Sequence, residues 1–321
     1  MAYGHALVSG GAGFIGSHVV DRLLADGYHV GVLDNLATGC LSNLAETIDH
    51  IEFHQGDLRS LDDVRKAVEG CELVVHLGAL GSVPRSLVDP LTTHDVNATG
   101  TLNMLLAARD AGCRRLLFSS SSSVFGSNPE LPKREGMLGL PLSPYAATKS
   151  IAEDYCRQFS QHFDLEAVAV RFFNVFGPRQ AADHVYAAVI PKFINAALQG
   201  QPAEIHGNGE QSRDFTYVSN VVDGLLLLAA ADLPADKTFH LACGTSISLL
   251  KVLDLIESTL GHPVPRRHVG SRPGDIRDSL ADITRIRDLT GYEPAVNVTQ
   301  GIAHTIEWFR AESAGSVKGS A

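Results

Sequence analysis

The chain has 321 residues, 45% of them apolar, with 26 basic against 36 acidic side chains and a formal charge of −10. That length suits two domains, or one domain with a large extension. The acidic balance speaks against nucleic acid or an anionic membrane surface as a partner. Five cysteines (Cys40, Cys71, Cys113, Cys156, Cys243) stand without CxxC spacing, which reads as free thiols in a reducing compartment. No apolar run reaches the length of a membrane span and no signal peptide precedes the first strand. A soluble, cytoplasmic protein is expected. The histidines are dispersed without ligand spacing, so no metal site is expected.

In chain order, His5–Ser9 reads as a strand. Gly10-Gly11-Ala12-Gly13-Phe14-Ile15-Gly16 is a glycine turn, and Ser17–Asp26 continues as a helix. Strand, glycine turn and helix in that order cradle a dinucleotide phosphate. Gly10 permits the tight turn, Gly13 lets the backbone approach the pyrophosphate, and Gly16 lets the helix sit close on the strand. The second strand, His29–Leu33, ends at Asp34, 18 residues beyond Gly16. A carboxylate there holds the adenosine ribose hydroxyls and favours NAD over NADP.

Ile51–His54 and Leu73–Leu77 are the third and fourth strands. Asp57 and Leu58 fall where the adenine would lie. The small residues of Gly78-Ala79-Leu80-Gly81-Ser82 leave room for a ligand, and the loop through Val83, Pro84 and Arg85 is expected to reach toward substrate phosphates. Val96–Ala111 reads as one long helix beginning beside Asn97. Leu116–Ser119 is the fifth strand, Pro144–His162 a helix and Leu165–Phe173 the sixth strand. This alternation predicts an α/β fold with a Rossmann-like, doubly wound parallel sheet. After Pro178 the rhythm becomes mixed, which predicts a smaller α/β substrate lobe. The expected division is 1–175 for the dinucleotide domain, with later segments returning to it, 176–312 for the lobe, and 313–321 for a flexible tail.

Two stretches carry chemistry. Ser119–Ser123 closes the fifth strand, at the sheet end where open α/β folds bind ligands. Tyr145 and Lys149 are four residues apart and share a helix face. An ammonium beside a phenol favours the phenolate, and NAD+ adds positive charge. Such a phenolate removes a proton from a sugar hydroxyl while hydride leaves the same carbon.

With these residues in hand, the chain resembles the extended short-chain dehydrogenase/reductase family, in particular its UDP-N-acetylglucosamine and UDP-glucose 4-epimerase type. The motifs are Gly10–His18, Asp34-Asn35-Leu36, Gly56–Arg59, Leu80–Ser86, Tyr145–Lys149, Arg171–Arg179, Tyr186–Lys192, Gly207–Phe215 and Arg272–Asp275. The resemblance implies Tyr145 as catalytic base, Lys149 as its tuner and Ser121 as catalytic hydroxyl. It places NAD on Gly10, Gly13, Phe14, Ile15, Gly16, Asp34, Asn35, Asp57, Leu58, Leu77, Gly78, Ala79, Asn97, Ser119, Tyr145 and Lys149. It places a UDP-sugar on Ser82, Arg85, Ser121, Ser122, Ser123, Tyr145, Asn174, Val189, Lys192, Phe193, Gly207, Arg213, Arg272, Asp275 and Ser279. It implies oxidation at C4, turnover of the 4-keto sugar, and reduction from the other face. It implies a homodimer through helices near 94–111 and 145–162.

Two departures narrow the reading. The related dehydratases carry an acid pair after the catalytic hydroxyl, and here Ser122 and Ser123 stand there instead. A serine at 279, where some glucose-only enzymes carry tyrosine, leaves space for an acetamido group. UDP-glucuronate epimerisation, another nucleotide-sugar modification, and non-catalytic nucleotide-sugar binding remain as alternatives.

Overall fold

The computed structural model describes residues 4–182, 187–270 and 277–318. Its first half runs β1 (His5–Ser9), α1 (Phe14–Ala25), β2 (His29–Asp34), β3 (Ile51–Gln55), α2 (Leu61–Val68), β4 (Leu73–His76), α3 (Val83–Val88), α4 (Pro90–His94), α5 (Gly100–Asp110), β5 (Arg115–Ser121), α6 (Pro144–His162) and β6 (Glu166–Phe172). Then come β7 (Val175–Phe176), α7 (Val189–Leu198), β8 (Ala203–His206), β9 (Ser212–Arg213), β10 (Thr216–Tyr217), α8 (Val218–Ala230), β11 (Thr238–Leu241), β12 (Ile247–Ser248), α9 (Leu249–Leu260), β13 (Arg266–Val269), α10 (Thr284–Thr290) and α11 (Val298–Lys318).

The main sheet has seven parallel strands in the order β3-β2-β1-β4-β5-β6-β11. Its central strands are apolar on both faces because helices cover both. Ala6 and Val8 of β1 point into a core shared with Val19 and Leu23 of α1 and Leu225 and Leu228 of α8. Leu7 between them points into the opposite core, with Val64 of α2, Leu105 of α5 and Ala152 of α6. A third core, around Phe193, Ile205, Phe215, Val252 and Ile302, holds the second lobe together.

The chain is helical through the stretch expected as a helix over 96–111, with one wide turn at Asp95–Thr99 joining α4 to α5. Asn97 in that turn uses its amide for tertiary bonds, accepting from Leu80 N–H at 2.8 Å and donating to the Leu80 carbonyl at 3.3 Å. Of the stretch expected as a flexible tail, 313–321, the part to Lys318 continues α11 and the rest lies outside the described residues. The fifth strand is longer than expected, because Ser120 and Ser121 continue the ladder opposite Arg171 and Phe172. β11, from late in the chain, pairs with β6 in the main sheet.

Candidate active site

The strand ends of the main sheet open onto a cleft of about 570 Å³. Backbone builds its floor. Gly10 has φ +71, and a Cβ there would meet the backbone of Gly78 at 2.8 Å. A Cβ on Gly16 would lie 2.1 Å from the Gly10 carbonyl oxygen. Two turns therefore pack backbone to backbone, which only glycine permits. α1 starts at this floor from Gly13, with no side chain capping it. Its first N–H groups are left for a ligand, and an anion suits them. Asp34 accepts from Ala12 N–H at 3.0 Å and Leu36 N–H at 2.8 Å. The carboxylate that ends β2 thus also pins the glycine turn.

At the far wall, Asn35 donates to Asp57 at 3.0 Å. Arg59 forks onto the same carboxylate at 2.9 and 2.8 Å, and this bonding holds the Asp57 carboxyl well below its usual range. Under the floor runs a closed chain of hydrogen bonds. Gly78 N–H donates to Ser9 Oγ at 3.2 Å, and Ser9 Oγ meets His76 Nδ1 at 2.6 Å. His76 Nε2 meets Thr101 Oγ1 at 3.0 Å, and Thr101 donates to the Asn97 carbonyl at 2.6 Å. Since Thr101 spends its proton on that carbonyl, Nε2 carries the imidazole proton and Nδ1 accepts. Burial pushes the His76 pKa down to about 3, so the ring stays neutral.

The groups expected to react sit where β5 ends. α6 begins at Pro144, with Ser143 Oγ accepting from Ala146 N–H at 3.1 Å. That cap and the N1 proline fix the first turn, and so aim Tyr145 at Ser121. Lys149 Nζ donates to the Ser119 carbonyl at 2.7 Å and lies 4.7 Å from the Phe118 ring centroid. Burial pushes its pKa down to about 7. The sequence led to a lowered tyrosine pKa. In the folded chain burial instead raises it, against a hydrogen bond with Ser121 that lowers it. The reason is geometric: the ammonium spends a hydrogen on Ser119 and lies 6.0 Å from the Tyr145 ring centroid.

A second cavity of about 430 Å³ opens between the sheet and the second lobe. Asn174 lines both cavities, at a left-handed φ of +36, with its side chain donating to the Asp214 carbonyl at 3.2 Å. Val189, Lys192 and Phe193 of α7 and Arg213 of β9 line the second cavity, as the sequence reading groups them. Arg213 donates to the carbonyls of Ser212 and Arg277, each at 2.8 Å. Asp214 behind them accepts from the N–H groups of Cys243, Gly244 and Ala281. Burial nevertheless pushes its pKa up to about 6.

The cleft gathers Gly10, Gly13, Phe14, Ile15 and Gly16 with Asp34, Asn35, Asp57 and Leu58. It also takes in Leu77, Gly78, Ala79, Ser119, Ser121, Ser122, Tyr145 and Lys149. Six expected residues stand off both walls. Asn97 lies behind Leu80, and Ser82 caps α3, which carries Arg85. Ser123 Oγ is buried without a hydrogen-bond partner. Gly207 turns at φ +71 beside β13. Ser279 is buried, with its N–H donating to Ser212 at 3.1 Å. Arg272 and Asp275 lie outside the described residues. The sequence reading missed Thr38, Arg59, Thr92 and Val175 in the cleft and Gln211 and Leu249 in the second cavity. Only Arg59 carried a signal, its spacing from Asp57.

The model of the NAD dependent epimerase/dehydratase family matches residues 6–242. The chain belongs to the NAD-dependent epimerase/dehydratase family. It is 39% identical over 311 residues to a UDP-glucose 4-epimerase of Mycolicibacterium smegmatis, covering 96% of this chain and 99% of that one. A solved UDP-N-acetylglucosamine 4-epimerase from Methanobrevibacter ruminantium, in complex with UDP-N-acetylmuramic acid, is 38% identical. It superposes with a TM-score of 0.92 over 97% of this chain and 100% of that one. A Thermus thermophilus UDP-glucose 4-epimerase solved with NAD is 34% identical, with a TM-score of 0.88 over 95% and 99%. Among the described residues no helix is long and apolar enough to cross a membrane, and no His, Cys, Asp or Glu cluster suits a metal.

Proposed function

We propose that the protein is an NAD-dependent 4-epimerase of UDP-hexoses, acting on UDP-GlcNAc/UDP-GalNAc and on UDP-Glc/UDP-Gal. One observation carries the reading. Tyr145, Ser121 and Lys149 converge at the end of β5, in a cleft joined through Asn174 to a second, cation-lined cavity. The glycine floor, the uncapped start of α1 and the Asp34 carboxylate fit NAD. When bound, NAD supplies reversible hydride exchange with sugar C4. The chain's own residues do the rest. Tyr145 takes the C4 hydroxyl proton and returns it after the ring turns over. Ser121 holds the reacting oxygen, and the Lys149 ammonium stabilises the phenolate. Lys192 and Arg213 hold the diphosphate in the second cavity while the sugar turns. No carboxylate follows Ser121, which supports epimerisation over dehydration. Ser279, small where a tyrosine would fill space, supports room for an N-acetyl group.

A homodimer through the helices near 94–111 and 145–162 belongs to this proposal. Leu91 of α4 is 71% exposed and Ile151 of α6 is 37% exposed, which supports it. Light scattering on the purified protein tests it, and a monomer at micromolar concentration overturns it.

Purified protein incubated with UDP-GlcNAc, UDP-Glc and UDP-GlcA, with products resolved by NMR, tests the activity. A C4 epimer of the first two is expected. No epimer from any of the three overturns the reading, and conversion of UDP-GlcA alone replaces the substrate. Tyr145→Phe is expected to lose at least about 100-fold in kcat while NAD stays bound.

A further inference from the structure

Three consecutive serines of β5 each hold one residue from a single face of α6. The Ser119 carbonyl accepts from Lys149, and Ser121 hydrogen-bonds Tyr145. Between them, Ser120 Oγ donates to Glu153 Oε1 at 2.5 Å. Tyr145, Lys149 and Glu153 are spaced by four, so they stack along the helix. Glu153 is also gripped from the sheet. Arg171 stands opposite Ser120 in the β5–β6 register, so both project onto α6. Its Nε and Nη2 donate to the two Glu153 oxygens at 2.8 and 2.7 Å. Its Nη1 donates to the Glu135 carbonyl at 2.6 Å, and the guanidinium lies 5.0 Å from the Phe125 ring centroid.

Both charges are almost wholly buried, Glu153 at 3% and Arg171 at 2% exposure. Apolar side chains of similar volume would serve stability about as well. Neither residue lines the cleft or the second cavity. The pair therefore invites a role other than adhesion or substrate contact. The groups acting on the Lys149 ammonium are Tyr145, Glu153 and Cys156 on α6, His76 on β4, and the Phe118 ring and Ser119 carbonyl of β5, while Arg171 of β6 is held on Glu153. Burial keeps Cys156 a thiol and His76 a neutral ring. Glu153 thus supplies the negative charge that opposes the desolvation of the ammonium.

We propose that Glu153, clamped by Arg171 and Ser120, is a positioning residue that opposes loss of the Lys149 proton and so favours the phenolate of Tyr145. The inference rests on the epimerase reading above. It makes a specific claim about protons. The pair Tyr145 and Lys149 shares one proton in the active state, either as phenolate with ammonium or as phenol with amine. Glu153 lies nearer Lys149 than Tyr145 along the helix, so its charge favours phenolate with ammonium. Deleting that charge eases loss of the first proton but shifts the pair toward phenol with amine.

The test is Glu153→Gln in the NAD-loaded protein. The expected result is kcat about tenfold lower, KM within about twofold, and the rising limb of the kcat profile about one pH unit more acidic. A folded, NAD-bound variant whose limb stays where the wild type has it overturns the proposal, whatever its kcat. If the stranded Arg171 charge prevents folding, the paired Glu153→Met, Arg171→Met variant removes the carboxylate without stranding a cation, and the same two outcomes decide. A second readout needs no epimerase activity. The tyrosinate absorbance of Tyr145, taken as the difference from Tyr145→Phe, is expected to be smaller at neutral pH in Glu153→Gln, and an unchanged amplitude overturns the proposal. Wild-type protein that makes no epimer sinks the epimerase reading alone.

Discussion

The two cavities are built by different means. The cleft over the main sheet is made of backbone: two glycine turns packed too closely to admit a Cβ at Gly10, and an uncapped helix start. The cavity of the second lobe is made of side chains on α7, on β8 and on the two-residue strand β9. A backbone-built floor tolerates no added atom and suits a ligand that stays. A side-chain-built wall tolerates exchange of chemistry, and suits a ligand that varies. Substitutions in the two halves should therefore fail differently.

The largest effect is expected in the floor. Gly16→Val drives a side chain into the Gly10 carbonyl, so the purified protein should carry no NAD and lose all turnover. Retained NAD absorbance at wild-type stoichiometry would erase the contrast. In the wall, Arg213→Ala should raise KM for the UDP-sugar about 10- to 100-fold with NAD content unchanged. Loss of NAD in that variant would show that the halves are not independent.

Two buried histidines sharpen the comparison by pH. Burial pushes both His76 and His240 from the usual 6.5 down to about 3. The unfolded chain therefore binds more protons below about pH 6.5, and stability falls as pH falls toward 3. Each should contribute a slope of about 1.4 kcal/mol per pH unit in that window. Both ring nitrogens of His76 are bonded, whereas Nε2 of His240 is buried without a partner. His240→Phe should therefore cost less at neutral pH than His76→Phe, while both flatten the slope of urea-unfolding midpoints against pH. Equal losses would remove the distinction. The smallest effect is at Ser279, where Tyr should lower kcat/KM for UDP-GlcNAc several-fold more than for UDP-Glc. Equal losses would refute a gate there.

The first half was legible because its signals are local. Glycine spacing, the strand ending at Asp34 and the four-residue step from Tyr145 to Lys149 all act over one or two elements. The residues that escaped are those placed by pairing. Nothing in the serine run says that the Ser120 hydroxyl bonds Glu153; the register with Arg171 decides that. Asn97 looked like a helix start because its spacing is helical, and only its bonds to Leu80 open the turn. In the second lobe, strands of two residues carry no periodicity to read, so Gln211 and Leu249 had no signature.

β11 gives the molecule an order of assembly. The last strand of the main sheet lies beyond the whole of α7 and α8 in sequence, and it covers the edge of β6. During synthesis β6 remains an open edge, ready to pair with another chain, until residue 241 is available. A fragment cut near 175 would keep every residue of the glycine floor and still present that edge. Such a piece should aggregate, even though the motif that names its ligand is complete.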